Sequence, residues 1–149
     1  MKNTLLIGIG NKGRGDDGLG WAFADRLQGD PCLEIIHRYQ LQVEDAELIS
    51  QYPEVWFVDA SHKPSPDGFT CETVRGSGYF SYTTHALHPE AVVQLCQQVF
   101  GKSPRARLLG ISGEAFELGH GLSTTAGERL EKALKYFFTI RKSSPVHSG

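Results

Sequence analysis

Three ionisable side chains, distant from one another in the 149-residue sequence, carry the chemistry of a cation site. Asp17 closes the polar segment Asn11-Lys12-Gly13-Arg14-Gly15-Asp16-Asp17, Asp59 follows the apolar run Val55-Trp56-Phe57-Val58, and His85 ends Thr83-Thr84-His85. Two carboxylates and one imidazole with coordination positions left open suit nickel, zinc or iron, and the donor set alone does not choose among them. Each residue also has a plainer reading. A carboxylate at a helix N-terminus opposes the helix dipole favourably by ~0.3–1 kcal/mol. An aspartate after a strand often caps the next helix, and a lone histidine more often packs or is solvated than binds a metal. Asp16 takes the dipole or capping role here, and Asp17 could do the same.

The same first loop satisfies a second pattern. Gly8-Ile9-Gly10-Asn11-Lys12-Gly13 is a G-x-G-x-x-G between a strand and a helix, the context of a dinucleotide site. Asp16 and Asp17 then put negative charge where a pyrophosphate needs positive potential. The second strand ends in Arg38-Tyr39 rather than an acidic ribose partner, which leaves only an NADP-type reading through Arg38. Motifs for peptide hydrolysis are missing: there is no H-E-x-x-H, and Gly110-Ile111-Ser112-Gly113-Glu114 puts Glu where G-x-S-x-G needs its last glycine. Cys32, Cys71 and Cys96 have no obvious histidine partner in sequence. Their odd number and wide spacing argue against a disulfide framework or zinc ribbon and suit a reducing cytoplasm.

The elements that must position these groups alternate between strand and helix. Thr4 to Gly10 reads as a strand buried on both faces, and Leu19, Ala22, Phe23 and Leu27 recur at helical spacing before a stop at Gly29. Leu33 to Tyr39 is a second strand and Val43 to Ile49 a short helix with Ala46, Leu48 and Ile49 inward. Val55 to Val58 is a third strand delivering Asp59 at its end, and Phe69 to Arg75 an edge strand with one wetter face. Gly76 to Thr84 reads as an irregular loop. A helix from near His88, with Pro89 in its first turn, runs through Val92, Val93, Leu95, Cys96 and Val99 to Gly101. Arg107 to Ile111 is a further strand and Ser112 to Leu122 a loop. A last helix from about Ser123, with Thr125 and Glu128 at capping-box spacing, buries Leu130, Ala133, Leu134 and Phe137.

This pattern predicts one α/β domain over 1–142: a three-layer, mostly parallel twisted sheet of about five strands, helices on both faces, and a flexible tail over 143–149. In such sheets sites lie outside the carboxyl ends of the strands, which nominates the loops at Gly10–Asp17, Asp59–Lys63 and Ser112–His120. With 40% hydrophobic and 21% charged residues a real core is expected. A net charge of −2 without basic blocks disfavours nucleic-acid and anionic-membrane partners. No secretory h-region or membrane span is expected.

Gly10-Asn11 followed by Asp16-Asp17-Gly18-Leu19-Gly20, with Val58-Asp59-Ala60 and Thr84-His85-Ala86-Leu87-His88-Pro89, resembles the hydrogenase maturation endopeptidases. The resemblance extends to Tyr39-Gln40-Leu41 with Glu44 and to Phe116-Glu117-Leu118-Gly119-His120-Gly121-Leu122-Ser123, and so spans nearly the whole chain. It departs at His120, where the family usually carries an acidic residue. The resemblance implies a mostly parallel sheet with one antiparallel strand. It also implies a cytoplasmic aspartyl endopeptidase that trims the C-terminus of a nickel-iron hydrogenase large-subunit precursor once nickel is inserted. Its metal ligands by position are Asp17, Asp59 and His85, and the nickel comes with the precursor. Peptide hydrolysis would then use a water polarised by the metal or activated by Asp17 or Asp59. His88 is a further ligand candidate or a structural residue beside Pro89. His62 and His120 are candidates to line the cleft, and Tyr79, Phe80 and Tyr82 to form an apolar wall. An NADP-type domain and a non-catalytic nickel-recognition module are the alternatives.

Overall fold

Every residue of the first strand, β1 (Thr4–Ile9), is buried, as its unbroken apolar run requires of a strand covered on both faces. The computed structural model describes residues 2–76 and 87–143. Its order is β1, α1 (Leu19–Arg26), β2 (Leu33–Arg38), α2 (Asp45–Ile49), β3 (Glu54–Ser61), β4 (Phe69–Val74), α3 (Pro89–Leu95), β5 (Arg105–Ser112) and α4 (Thr124–Ser143). The strands form one sheet in the order β2-β1-β3-β5-β4. All pairings are parallel except β4 with β5, so the half-exposed fourth strand is indeed an antiparallel edge.

Alternation along the central strands divides the core between two helical layers. Leu6, Trp56, Val58 and Leu109 pack with Leu19 and Phe23 of α1 and Leu130 and Phe137 of α4. Leu5, Ile7, Val55 and Phe57 point to the opposite face, against Ile49 of α2 and Val92 and Val93 of α3. The aromatic packing is edge-on, the geometry that ring quadrupoles favour: Phe137 lies 4.9 Å from Trp56 and 5.5 Å from Phe23. Between α1 and the sheet the backbones nearly touch. A Cβ on Gly20 would overlap the carbonyl oxygens of Ile9 and Val58, so only glycine lets the helix start directly over β1 and β3.

Several boundaries differ from the sequence expectation. β3 runs on to Ser61, so Asp59 sits inside the strand opposite Gly110 rather than beyond its end. α2 begins at Asp45, whose carboxylate accepts hydrogen bonds from the Gln42 amide (2.8 Å) and Arg38 (3.1 Å), while Val43 is exposed and Leu48 half-buried. α3 continues as a π-helical turn, Cys96–Phe100, and the wider turn leaves Val99 exposed while Cys96 stays buried. The cap of α4 is Ser123, whose hydroxyl accepts from the Ala126 amide at 3.1 Å, and not Thr125, which lies within the helix. α4 takes in Ser143, the first residue assigned to the tail; 144–149 lie outside the described residues, as does most of the expected loop after Gly76.

Two glycine substitutions separate backbone contact from mere helix propensity. Gly20→Ala is expected to cost about 1–3 kcal/mol through overpacking. Gly127→Ala in α4, where an added Cβ would meet nothing within 4 Å, is expected to stabilise by about 0.5–1 kcal/mol. Urea unfolding of both variants checks this; equal tolerance at the two positions contradicts the close contact.

Candidate functional site

The chain leaves β1 for β2 on one side and returns to β3 on the other, so the crevice at the carboxyl ends of β1 and β3 is the switch point of the sheet. Asp17 reaches it from a 3-10 turn, Gly15–Gly18, folded back on the end of β1. The Asn11 amide holds this fold-back, donating to both the backbone carbonyl of Asp17 (3.1 Å) and its Oδ2 (3.0 Å). Gly10 makes it sterically feasible: its φ is 142°, and a Cβ there would overlap the Asp17 carbonyl.

Asp59 faces Asp17 across the crevice. Both line a cavity of about 240 Å³ together with Gly10, Tyr39, Leu41 and His88. Asp59 Oδ1 accepts a hydrogen bond from the Ala60 amide at 2.8 Å. Burial pushes the Asp59 carboxyl up to about 7, against the lowering effect of the Ala60 bond, and the nearby Asp17 carboxylate adds to the rise. A carboxyl in this state both holds and releases a proton near neutral pH.

The third wall of the cavity is Leu87, His88 and Pro89, drawn across by an antiparallel bridge between Leu87 and Leu41. His85, two residues earlier, lies outside the described residues, as do Tyr79, Phe80 and Tyr82. His88 is the N-cap residue of α3, yet its side chain makes no capping bond and instead borders the cavity. His62 is turned to a different contact, stacked on Phe116 at 3.9 Å, and His120 is exposed beside Glu117 at 3.5 Å. Among the described residues no cluster of three or more His, Cys, Asp or Glu side chains could hold a metal ion. Two facing carboxylates are half of a hard or borderline cation's needs, so the residues present fit an ion that arrives with ligands of its own. Tyr39 forms an exposed aromatic ledge at the rim, 5.0 Å from Trp21, whose indole N–H donates to the Arg38 carbonyl at 3.0 Å.

Asp16 has a larger part than its sequence reading as a dipole partner or cap. It is fully buried, and its carboxylate accepts four hydrogen bonds from the segment between β5 and α4: Glu114 N (2.7 Å), Ala115 N (2.9 Å), Ser123 N (2.7 Å) and Ser123 Oγ (2.7 Å). Burial alone would raise its pKa, but the combined bonds from Ala115, Glu114 and Ser123 hold it below the usual carboxylate value. The sequence carries one signal of this, two adjacent aspartates where a helix start needs only one.

Other candidates fall away from the crevice. Arg38, which an NADP-type site would need, is paired with Asp45 at 3.1 Å, and Gly10 accommodates the chain's own backbone rather than offering room to a phosphate. The three cysteines are free and none lines the cavity; burial pushes the Cys96 thiol up, away from the nucleophilic state. No helix among the described residues is long and apolar enough to cross a membrane.

No protein-family model matches the chain, and no curated protein does. Solved structures do. The hydrogenase maturating endopeptidase HybD from E. coli superposes with a TM-score of 0.72 at 20% identity, over 97% of this chain and 94% of that one. The NiFe hydrogenase maturation protease HycI from Thermococcus kodakarensis KOD1 gives 0.70 at 26% identity, over 95% and 93%. A hydrogenase 2 maturation peptidase from Thaumarchaeota archaeon SCGC_AB-539-E09 gives 0.70 at 20%, over 95% and 99%. The chain has the fold of the hydrogenase maturation endopeptidases over nearly its whole length.

The raised pKa of Asp59 makes a stability prediction that needs no substrate. Between the unfolded value near 3.8 and the folded value of about 7 the native state holds a proton that the unfolded chain has released. Stability from this group therefore falls as pH rises across that window and stays reduced above it. Asp59→Asn, which cannot ionise, is expected to melt higher than the parent at pH 8 by an amount that shrinks towards pH 4. Thermal melts in chelator check this, and a pH-independent difference contradicts it.

Proposed function

We propose that this chain is an endopeptidase that removes the C-terminal extension of a nickel-iron hydrogenase large-subunit precursor, in the cytoplasm, after nickel has been inserted. The observation that carries the reading is the pair Asp17 and Asp59 lining one cavity at the switch point, in the fold of proteins named as hydrogenase maturation proteases. In this reading the nickel belongs to the substrate, and Asp17, Asp59 and His85 are the groups that meet it.

The incomplete donor set has a chemical consequence. A protease with its own full ligand set would hold or strip a metal, whereas two carboxylates and one imidazole can engage an ion still bound by the precursor. Cleavage thereby becomes conditional on metal loading. The ion would supply Lewis acidity beside the scissile carbonyl. The chain's own contribution would be acid–base: whichever carboxylate oxygen of Asp17 or Asp59 the ion leaves free takes a proton from the attacking water and returns it to the leaving amine. Asp17, fixed by the Asn11 amide, presents its remaining carboxylate oxygen from the opposite wall. Tyr39 and Leu41 give the extension an apolar side to lie against.

Purified protein mixed with nickel-loaded and nickel-free precursor, followed by mass spectrometry, tests this. Loss of a C-terminal peptide from the loaded form alone is expected, with the rate falling at least ~100-fold in Asp17→Asn, Asp59→Asn and His85→Ala. Complex formation with loaded precursor but no mass loss would instead assign a non-catalytic nickel-recognition module.

A further inference from the structure

The crevice side chains are aimed by a neighbour that never enters the crevice. We propose that Asp16 is a positioning residue: by anchoring the 3-10 turn to the segment between β5 and α4, it fixes the direction in which Asp17 enters the cavity. The proposal rests on the reading of Asp17 as a group that meets the substrate.

Asp16 and Asp17 are consecutive in one 3-10 turn, where successive side chains point about 120° apart. One can therefore be buried in the protein while the other faces a cavity, and fixing the first fixes the second. The anchor is built from both sides. All four bonds to the Asp16 carboxylate come from residues roughly a hundred positions downstream, a pattern that a dipole partner or local cap would not show. Backbone bonds tie the same two segments together: Asp16 N to Ala115 O (2.7 Å), Gly15 N to His120 O (2.8 Å) and Gly119 N to Gly13 O (2.8 Å). Steric room is reserved for the contact, since a Cβ on Gly113 would stand 2.7 Å from Asp16 Cβ. Ser123 adds a further link: its hydroxyl donates to Asp16 and accepts from Ala126, so the turn is fixed to the first turn of α4.

Removing the carboxylate leaves the donors of Glu114, Ala115 and Ser123 unmet and frees the turn. Asp17 then loses its fixed direction while all its own atoms remain. The test compares Asp16→Ala and the isosteric Asp16→Asn with the parent in two readouts. Amide hydrogen exchange at Asn11, whose N–H is bonded to both the backbone carbonyl and the carboxylate of Asp17, reports how firmly the turn that carries Asp17 is held in the free protein. Precursor cleavage reports its consequence. Expected are faster exchange at Asn11 as well as at Glu114 and Ala115, and kcat lower by roughly 10- to 100-fold, as a displacement of about 1 Å produces. KM should stay within about threefold, since the precursor's remaining contacts are untouched.

Asn11 protection equal to the parent's in a folded variant overturns the proposal, and so does a loss carried by KM with kcat unchanged. If Asp16→Ala does not fold, Asp16→Asn decides. Should the parent cleave no precursor, the protease reading fails on its own, and the exchange at Asn11 alone supports or overturns the anchor.

Discussion

A carboxyl buried within a strand, with a second carboxylate beside it, cannot be ionised there cheaply, and this constraint organises the crevice. Something positive must lie between or upon the pair: a proton or a cation. Asp59 takes the first course, with a carboxyl pushed up to about 7 by burial and by Asp17. Under the proposed function a cation brought by the precursor would exchange with that proton. The cost is local, and the two-layered core on either side of the sheet sustains it.

The adjacent residues Asp16 and Asp17 show how far environment, rather than residue type, decides a role. Asp16 is surrounded by hydrogen-bond donors and held below the usual carboxylate range, where it serves as an internal anion that joins two loops. Asp17 keeps one oxygen bonded to a backbone amide and turns towards the cavity. Since a 3-10 turn sends neighbouring side chains in different directions, one short segment supplies both a buried structural anion and a carboxyl that lines the cavity. Gly8 and Gly10, which with Gly13 match a phosphate-binding fingerprint, are spaces for the backbone carbonyls of Gly20 and Asp17.

Much of this was legible before the coordinates. The buried run of β1, the wetter edge strand Phe69–Val74 and the inward stripe Leu130, Ala133, Leu134 and Phe137 follow from periodicity and composition, because apolar burial is what periodicity encodes. The placing of Asp17 and Asp59 on one cavity needed strand order as well, which local pattern does not carry; the alternation of elements and the rule of the switch point supplied the place, and the parallel pairing of β1 with β3 brings the ends of the two strands side by side. What was not legible is long-range and polar. The burial of Asp16 depends on amides a hundred residues away, the cap of α4 on a hydroxyl shared with that aspartate, and the freedom of Val99 on a π turn with no sequence mark.

The crevice thus combines rigidity and incompleteness, and the combination constrains what it can recognise. Asp17 is held from behind through Asp16, while Asp59 is held within a strand that pairs on both sides. Rigid donors favour an ion only at the geometry they already present, and being few they leave most of its coordination sphere to other ligands. Under the proposed function those other ligands belong to the precursor, so the crevice would be complementary neither to free metal nor to bare peptide but to the two together. A deeper, fully furnished metal site would bind ions more tightly and lose that discrimination, because it would be satisfied before any substrate arrived.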